Sequence, residues 1–312
     1  MTKDKPIFLA GHKGLLGSAF LRRLELEGFE QVFIRSRKEL DLCNQSAVDA
    51  FFEKIRPRVV IMAAGKVGGI MHNLGFPADF ILENLTMQTN VLRASLTSQV
   101  HKILFVGSSC MYPKECPQPM REDYLFTGKP EETSLSYAVA KLAGIQMCRA
   151  FNEQFKFRRF IPVIPNTIYG PNDNFDPVGS HVIPAMLRKF HEARENQAKS
   201  VTMWGSGTVR RESVYVDDVV DACVSLLSKD DNELPDFPIN IGVGYDHSVT
   251  EMASTISSVA GFEGSVEWDS SKPDGAPRKL LDNSRILSAG WCPNVSFLQG
   301  IEKTYEWYSK TL

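Results

Sequence analysis

A glycine-rich turn near the N-terminus limits the possible folds of this chain more than any other stretch. An apolar run at 7–10 precedes the turn and an amphipathic run at 18–26 follows it, which predicts a strand, a turn and a helix. Glycines in such a turn let the backbone bend tightly and approach a pyrophosphate, which binds at the positive N-terminus of the helix. A glycine turn without a ligand is the plainer alternative. The turn residues predicted to bind a dinucleotide are Gly11, His12, Lys13, Gly14, Leu15 and Gly17.

Strand-like and helix-like segments alternate through the first half of the chain. Such alternation is typical of a parallel sheet with helices on both faces. The sequence therefore predicts an α/β fold built on a Rossmann-type, doubly wound parallel sheet. Further strands are predicted at 31–34, 59–62, 103–106 and 160–164, and helices at 77–98 and 131–147.

A smaller C-terminal α/β domain is expected, because the pattern becomes irregular from Asn172 onwards. The segments 181–196 and 201–204 resemble inserted substrate-binding material, whereas 214–228 and 238–242 are expected to return to the first domain. The predicted dinucleotide-binding domain comprises 1–170 plus about 213–243, and the predicted substrate domain comprises about 171–212 plus 244–312.

Composition narrows the class of protein further. Hydrophobic residues make up 43% of the 312 residues, and the net charge is −2, which argues against nucleic acid or an anionic membrane as a partner. No stretch approaches the ~20 apolar residues of a membrane span, and the run at 7–10 is too short for a signal peptide. The six cysteines lack CxxC pairs and metal-ligand spacing. We therefore expect reduced thiols, no metal and a cytoplasmic location.

Two residues four positions apart form the predicted catalytic pair. If the run at 131–147 is helical, Tyr137 and Lys141 lie on one face, about one turn apart. A lysine ammonium beside a phenol lowers the tyrosine pKa from its usual ~10, and such a tyrosine can exchange a proton with a carbonyl oxygen. Ser108 follows the strand at 103–106, at the sheet edge where ligands bind, so we expect it beside Tyr137. The same pair also occurs by chance on surface helices.

Basic residues at the end of the second predicted strand indicate the form of the cofactor. Arg35 and Arg37, with Lys13, would accommodate a 2′-phosphate, whereas an acidic residue there would bind a ribose 2′-hydroxyl. The sequence therefore favours NADP(H), and the alternative is a solvated turn. Small residues after the third strand let the backbone approach the cofactor, and these are Ala63, Ala64 and Gly65.

These features together resemble the extended short-chain dehydrogenases/reductases, and longer motifs are similar to the GDP-L-fucose synthase family. The similarity runs nearly from end to end of the chain. The motifs are AAGKVGGI (63–70), SSCMYP (108–113), NDNFDPVGSHVIPAMLRKFHEA (172–193), WGSGTVRRE (204–212) and KPDGAPRKLLD (272–282).

The resemblance implies roles for further residues. Asp41 and Leu42 would flank the adenine, and a segment with Asn166 and Ile168 would lie against the nicotinamide and the substrate. Cys110 and His181 would carry an epimerisation, since thiols and imidazoles exchange protons near neutrality. Without the resemblance, Cys110 would read as a small buried apolar residue and His181 as a loop or capping residue.

The substrate-binding residues and the assembly are also expected from the resemblance. Arginine can bind phosphate bidentately and tryptophan offers an apolar face, although surface charge and core packing are the alternatives. The family forms homodimers through helices that correspond to those near 80–98 and 137–155. The predicted substrate-binding residues are Asn166, His181, Arg188, Lys189, Trp204, Arg211 and Lys279.

The resemblance implies NADPH-dependent epimerisation at C3 and C5, then reduction at C4, of GDP-4-keto-6-deoxy-D-mannose. The same chemistry on a related 4-keto nucleotide sugar, of the colitose or heptose type, stays open. A nucleotide-sugar 4-epimerase or 4,6-dehydratase is a further alternative, but a dehydratase would need an acidic pair where Ser109 and Cys110 stand. A cofactor-sensing regulator without turnover would not need Ser108, Tyr137 and Lys141.

Overall fold

The computed structural model describes residues 3–177, 179–271 and 274–312. The strands are β1 (Ile7–Ala10), β2 (Val32–Ile34), β3 (Val59–Met62), β4 (Lys102–Val106), β5 (Phe160–Pro165), β6 (Thr167–Tyr169), β7 (Ser200–Trp204), β8 (Arg210–Arg211), β9 (Ser213–Tyr215), β10 (Ile239–Ile241), β11 (His247–Ser248), β12 (Ser265–Asp269) and β13 (Arg278–Lys279). The helices are α1 (Leu15–Leu26), α2 (Gln45–Ile55), α3 (Ile70–Gly75), α4 (Pro77–Thr97), α5 (Leu135–Phe155), α6 (Val182–Glu195), α7 (Val216–Ser228), α8 (Val249–Ala260), α9 (Ser284–Ser288) and α10 (Phe297–Thr311).

The centre of the molecule is a six-stranded parallel sheet in the order β10-β5-β4-β3-β1-β2. Five of these strands, all except β2, are fully buried, which explains their continuous apolar runs. Apolar residues of α1 and α7 pack on one face of the sheet, with Ile7 and Leu9. Apolar residues of α2, α4 and α5 pack on the other, with Phe8 and Phe105. The predicted doubly wound α/β fold is therefore confirmed.

One predicted helix begins later than the sequence suggested. Residues Glu132–Ser134 form a separate 3-10 turn, and α5 starts at Leu135 and continues to Phe155. The carboxylate of Glu131 accepts a hydrogen bond from the Glu132 N–H at 3.1 Å. This local side-chain bond satisfies the backbone without an α-helical turn.

The remaining elements surround a third apolar cluster. Residues of α6, α8 and α10 meet there, among them Phe190, Met252 and Ile301. Nearby, β7 pairs with β12, and β8 lies between β11 and β13. The predicted division into two domains stays a prediction. Within the described ranges, none of the helices combines the length and the apolar character that a membrane crossing requires.

Candidate active site

The strand order reverses between β1 and β3, and the carboxyl ends of strands at such a point are where open α/β sheets bind ligands. Two backbone segments meet closely there. Gly11 has a φ of +91°, and a Cβ on it would lie 2.6 Å from the Ala64 nitrogen, so only glycine fits. The predicted turn residues and the small residues after β3 are thus adjacent.

The first turn of α1 has the properties of an anion site. Among the described residues, no acidic side chain lies in this turn, and no side chain makes a capping hydrogen bond to its backbone. Gly14 is exposed, and its neighbour His12 has a buried Nδ1 without a hydrogen-bond partner. Free N–H groups and the positive helix end favour a phosphate. These residues fit a dinucleotide pyrophosphate.

Tyr137, Lys141 and Ser108 come together at the carboxyl end of β4. Tyr137 and Lys141 lie one turn apart on α5, and both are buried. The Tyr137 hydroxyl is hydrogen-bonded to the Ser108 side chain. Lys141 Nζ donates to the Val106 carbonyl at 2.9 Å and lies 5.9 Å from the centre of the Tyr137 ring. This arrangement places a phenol and a hydroxyl side by side, with an ammonium over the ring.

The prediction that Lys141 lowers the pKa of Tyr137 is wrong for this structure. Burial raises the pKa of Tyr137 well above its ordinary value, with a smaller contribution from Cys110, and only the Ser108 hydrogen bond opposes it. The ammonium of Lys141 is directed to a backbone carbonyl, and burial lowers its own pKa to about 8. Tyr137 is therefore a protonated phenol at neutral pH, which suits a proton donor.

Cys110 lies beside this group, in the 3-10 turn Ser109–Met111 that follows β4. Its side chain is half-buried, and its backbone N–H donates to Ser108 Oγ at 3.3 Å. The local turn is therefore fixed by the same serine that contacts Tyr137. The thiol is near enough to Tyr137 to affect the pKa of the phenol.

His181 stands at the N-terminus of α6, at the N-cap position, and its side chain makes no capping hydrogen bond. It is half-buried, and burial lowers the pKa of its imidazole. The ring is therefore neutral at pH 7 and able to accept a proton. Val178, three residues earlier in the same motif, lies outside the described residues.

A loop after β3 connects the His181 segment to Tyr137. The Gly69 N–H donates to the Gly179 carbonyl at 3.0 Å, two residues before His181. On the other side, a Cβ on Gly68 would lie 3.3 Å from the Phe80 ring, and Phe80 contacts Tyr137 edge-on with 6.3 Å between ring centres. The segments that carry His181 and Tyr137 are thus joined through residues 65–73.

The predicted 2′-phosphate residues are exposed at the end of β2. Arg35 lies over the Phe51 ring at 5.7 Å. Arg37 pairs with Glu83 at 2.9 Å, and Glu83 also binds Lys66 at 2.6 Å. Asp41 lies 4.0 Å from Arg37. Leu42 is buried.

Three predicted substrate residues come together around one residue, Glu212, that the sequence did not single out. The Asn166 side-chain amide donates to the Glu212 carboxylate at 2.5 Å. Glu212 directly follows Arg211, and its N–H donates to the Lys279 carbonyl at 3.1 Å. Arg211 and Lys279 are register partners in β8 and β13. Ile168 lies in β6, two residues after Asn166, and is half-buried.

The other predicted substrate residues lie on α6 and β7. Arg188 pairs with Glu192 at 2.9 Å, and its buried Nε has no partner among the described residues. Lys189 Nζ donates to the Thr202 carbonyl at 3.0 Å, two residues before the largely exposed Trp204. Lys272 and Pro273, which open the last motif, lie outside the described residues. The described part of the chain contains no cluster of three or more His, Cys, Asp or Glu side chains able to hold a metal ion.

Residues 7–242 match the model of the NAD dependent epimerase/dehydratase family. The chain belongs to this family. It is 48% identical to a putative GDP-L-fucose synthase 2 of Arabidopsis thaliana over 99% of this chain and 93% of that one. It is 45% identical to the GDP-L-fucose synthase of Escherichia coli (strain K12), over 99% and 97%. A structure of the GDP-mannoheptose C4 reductase of Campylobacter jejuni with NADP bound has a TM-score of 0.90 and 38% identity, covering 99% of both chains. The predicted resemblance to GDP-L-fucose synthases is confirmed.

The family motifs contain site residues that sequence reasoning missed. Glu212 ends the motif WGSGTVRRE, but its partners lie 31 to 69 positions away. Lys66 lies inside the motif AAGKVGGI, and Glu83 follows Asp79 by four residues on α4. Residues four positions apart on a helix lie on the same face, so the spacing of Asp79 and Glu83 predicts an acidic face on α4. The partners of Glu212 lie far from it in the sequence, so no local sequence pattern predicts its contacts.

Proposed function

We propose that this protein is an NADPH-dependent epimerase-reductase that converts GDP-4-keto-6-deoxy-D-mannose to GDP-L-fucose. The observation that carries the proposal is the cluster of Ser108, Cys110, Tyr137 and Lys141 at one strand end, in a chain 45–48% identical to GDP-L-fucose synthases over nearly its whole length. A reductase needs a proton donor beside its carbonyl substrate, and an epimerase needs further groups that exchange protons.

NADP(H) is the proposed cofactor, and the geometry of the glycine turn supports it. The turn at 11–17 and the first turn of α1 would hold the pyrophosphate. Arg35 and Arg37 would hold the 2′-phosphate, and residues 41–42 and 63–65 would line the adenine and ribose. When bound, the reduced nicotinamide supplies the hydride for carbonyl reduction.

For the reduction, Tyr137 donates a proton to the C4 oxygen and Ser108 hydrogen-bonds the same oxygen. Because its pKa is raised, Tyr137 keeps its proton until negative charge develops on the C4 oxygen of the substrate. The ammonium of Lys141 lies 5.9 Å from the centre of the Tyr137 ring and would hold the ribose of the cofactor. Lys141 is held in place by the Val106 carbonyl.

For the epimerisation, Cys110 and His181 exchange protons at C3 and C5. A 4-keto group acidifies the protons on both carbons, and inversion requires removal from one face and delivery to the other. His181 is neutral and can accept a proton. Cys110 lies next to the residues that would hold the C4 oxygen. Arg188, Lys189, Trp204, Arg211 and Lys279 would bind the GDP portion, with Asn166 beside the sugar.

The decisive experiment uses NADPH, the 4-keto substrate and D2O. The parent protein should oxidise NADPH and place deuterium at C3 and C5 of the inverted product, as read by NMR. Cys110→Ser should still oxidise NADPH slowly, with little deuterium and little inversion, because a hydroxyl does not ionise near neutral pH. Cys116→Ser is a matched control, since Cys116 is also half-buried, and it should resemble the parent. Fully inverted product from Cys110→Ser at the parent rate would refute the role of Cys110.

The 38% identity to a GDP-mannoheptose C4 reductase favours a second candidate function. In that case the protein reduces C4 of a related 4-keto nucleotide sugar and inverts fewer centres. NMR of the products from a panel of GDP-4-keto sugars separates the two functions, because only the first gives deuterium at both C3 and C5.

The proposed assembly is a homodimer in the cytoplasm. Exposed apolar side chains on the packed helices α4 and α5 support the dimer, with Leu82 66% and Val139 40% exposed. The free state of all six cysteines supports a reducing compartment. Sedimentation velocity at micromolar concentration should give a dimer for the parent and a monomer for Leu82→Asp. A monomeric parent would contradict the proposal.

A further inference from the structure

Glu212 is a fully buried carboxylate at the meeting point of three chain segments. One oxygen accepts hydrogen bonds from the backbone N–H groups of Val243 at 2.7 Å and Gly244 at 2.8 Å, just after β10. The other accepts from Asn166 Nδ2 at 2.5 Å, just after β5, and from the Leu281 N–H at 2.9 Å, just after β13. Four N–H donors thus converge on one side chain.

Burying a carboxylate is costly unless its oxygens are hydrogen-bonded. Burial raises the pKa of Glu212, and the four donors oppose this rise because they favour the charged form. The Glu212 side chain has room because residue 242 is a glycine: a Cβ on Gly242 would lie 2.4 Å from Glu212 Oε1. The charged side chain has no exposed surface, so a role in solubility is excluded.

The segments held by Glu212 carry the predicted sugar-nucleotide residues. Asn166 is bound directly. Arg211 is the preceding residue, and its Nη1 is fixed by the Arg210 and Ala276 carbonyls, both at 2.7 Å. Lys279 lies two residues before Leu281, whose N–H the carboxylate binds, and its own carbonyl accepts from the Glu212 backbone N–H at 3.1 Å.

We propose that Glu212 is a positioning residue that sets Asn166, Arg211 and Lys279 in register for the diphosphate and sugar of the substrate. The inference rests on the proposed function, because it assumes a GDP-sugar in this region. Glu212 itself would not touch the substrate, since its four partners fill its hydrogen-bonding capacity. Its effect would therefore appear in substrate binding rather than in the hydride step.

A second buried carboxylate on the same strand pair offers a matched control. Asp246 is also buried and accepts from Arg210 at 2.6 Å and from Arg278. These arginines are the register partners next to Arg211 and Lys279. Asp246 thus braces the two strands through their arginines, whereas Glu212 also ties them to the segments after β5 and β10.

The test measures GDP binding by calorimetry, NADPH binding by fluorescence and the melting temperature. In Glu212→Gln the new amide opposes the Asn166 amide and the Leu281 N–H, so both contacts are lost. We expect the Kd for GDP to rise roughly tenfold to hundredfold, in line with the cost of misplaced binding groups. The Kd for NADPH should change less than about threefold, because only Asn166 among the tied residues is expected beside the nicotinamide, whereas Arg211 and Lys279 are proposed to bind GDP. Asp246→Asn should keep GDP binding within the same margin.

A compensating variant sharpens the test. In Glu212→Gln/Asn166→Asp the new amide can donate to the new carboxylate, and the buried charge is restored. GDP affinity should recover at least threefold relative to Glu212→Gln. If Glu212→Gln lowers only the melting temperature, and the folded variant binds GDP as the parent does, the inference is wrong. Equal loss of GDP binding in Asp246→Asn would also overturn it.

Failure of the proposed function would look different. A parent protein that binds NADPH but neither binds GDP nor turns over a GDP-4-keto sugar would refute the function. A parent that does both, with unchanged GDP binding in Glu212→Gln, would refute only the positioning role.

Discussion

Lys141→Met should make the cofactor-free protein more stable while it abolishes activity. Lys141 is 4% exposed, and burial lowers its pKa from the ordinary 10.5 to about 8. The unfolded chain therefore binds this proton more tightly than the folded protein does. The difference of about 2.5 units, at about 1.4 kcal/mol per unit, corresponds to about 3 kcal/mol of lost stability below pH 8.

Methionine removes this cost but leaves the Val106 carbonyl without its 2.9 Å hydrogen bond. That loss is about 1 kcal/mol, so the net gain at pH 7 is about 2 kcal/mol. With an unfolding entropy of about 2.1 cal/mol/K per residue and 312 residues, the melting temperature should rise by about 3 °C. The gain should fade as the pH rises from 8 to 10.5, because both states are then deprotonated.

The assay compares the melting temperatures of parent and variant, without cofactor, at pH 7 and pH 10.5. Lys102→Met is the control: Lys102 is equally buried, but three nearby carboxylates raise the pKa that burial lowers. It should show a smaller gain and unchanged turnover. A lower melting temperature for Lys141→Met at pH 7, or an equal gain at both pH values, would refute the reasoning.

Three further predictions concern single groups of the site. Arg37→Ala should narrow the preference for NADPH over NADH, mainly through the KM for NADPH, and equal kcat/KM values for the two cofactors in the parent would contradict the assignment. Tyr137→Phe should lower kcat by about 10²–10⁴-fold with NADPH binding nearly intact, whereas a loss under tenfold would reject Tyr137 as the acid. Because burial lowers the pKa of His181, the imidazole stays neutral below its usual ~6.5. Deuterium exchange that depends on His181 should therefore persist as the pH falls through 6.5, and a midpoint above 6.5 would count against this.

The sheet was predictable because five of its six strands are fully buried and turn residues separate the strands. The strand at 59–62 matches β3, and the helix at 77–98 matches α4 to within one residue. In contrast, β8, β11 and β13 have two residues each, which is too short for the alternation of apolar and polar residues that marks a strand to appear in the sequence. Their existence depends on pairing between distant segments.

The site was predictable only in part, for a similar reason. The spacing of Tyr137 and Lys141 directly predicted that the two side chains share one face of a helix. The sequence did not reveal that both side chains are buried, and burial rather than the neighbouring charge determines the pKa of Tyr137. The gathering of Asn166, Arg211 and Lys279 around Glu212 depends on contacts across 46 positions to Asn166 and 67 positions to Lys279, which no local pattern reports.

The backbone hydrogen bond between Gly69 and Gly179 has a consequence for engineering. It ties the segment at 65–73, which includes the start of α3, to the segment before His181, although more than a hundred positions separate them in the chain. We expect a graft of either segment alone from a relative with another sugar preference to disturb this contact and the position of His181. Transplants that aim to change the sugar preference should therefore carry both segments together.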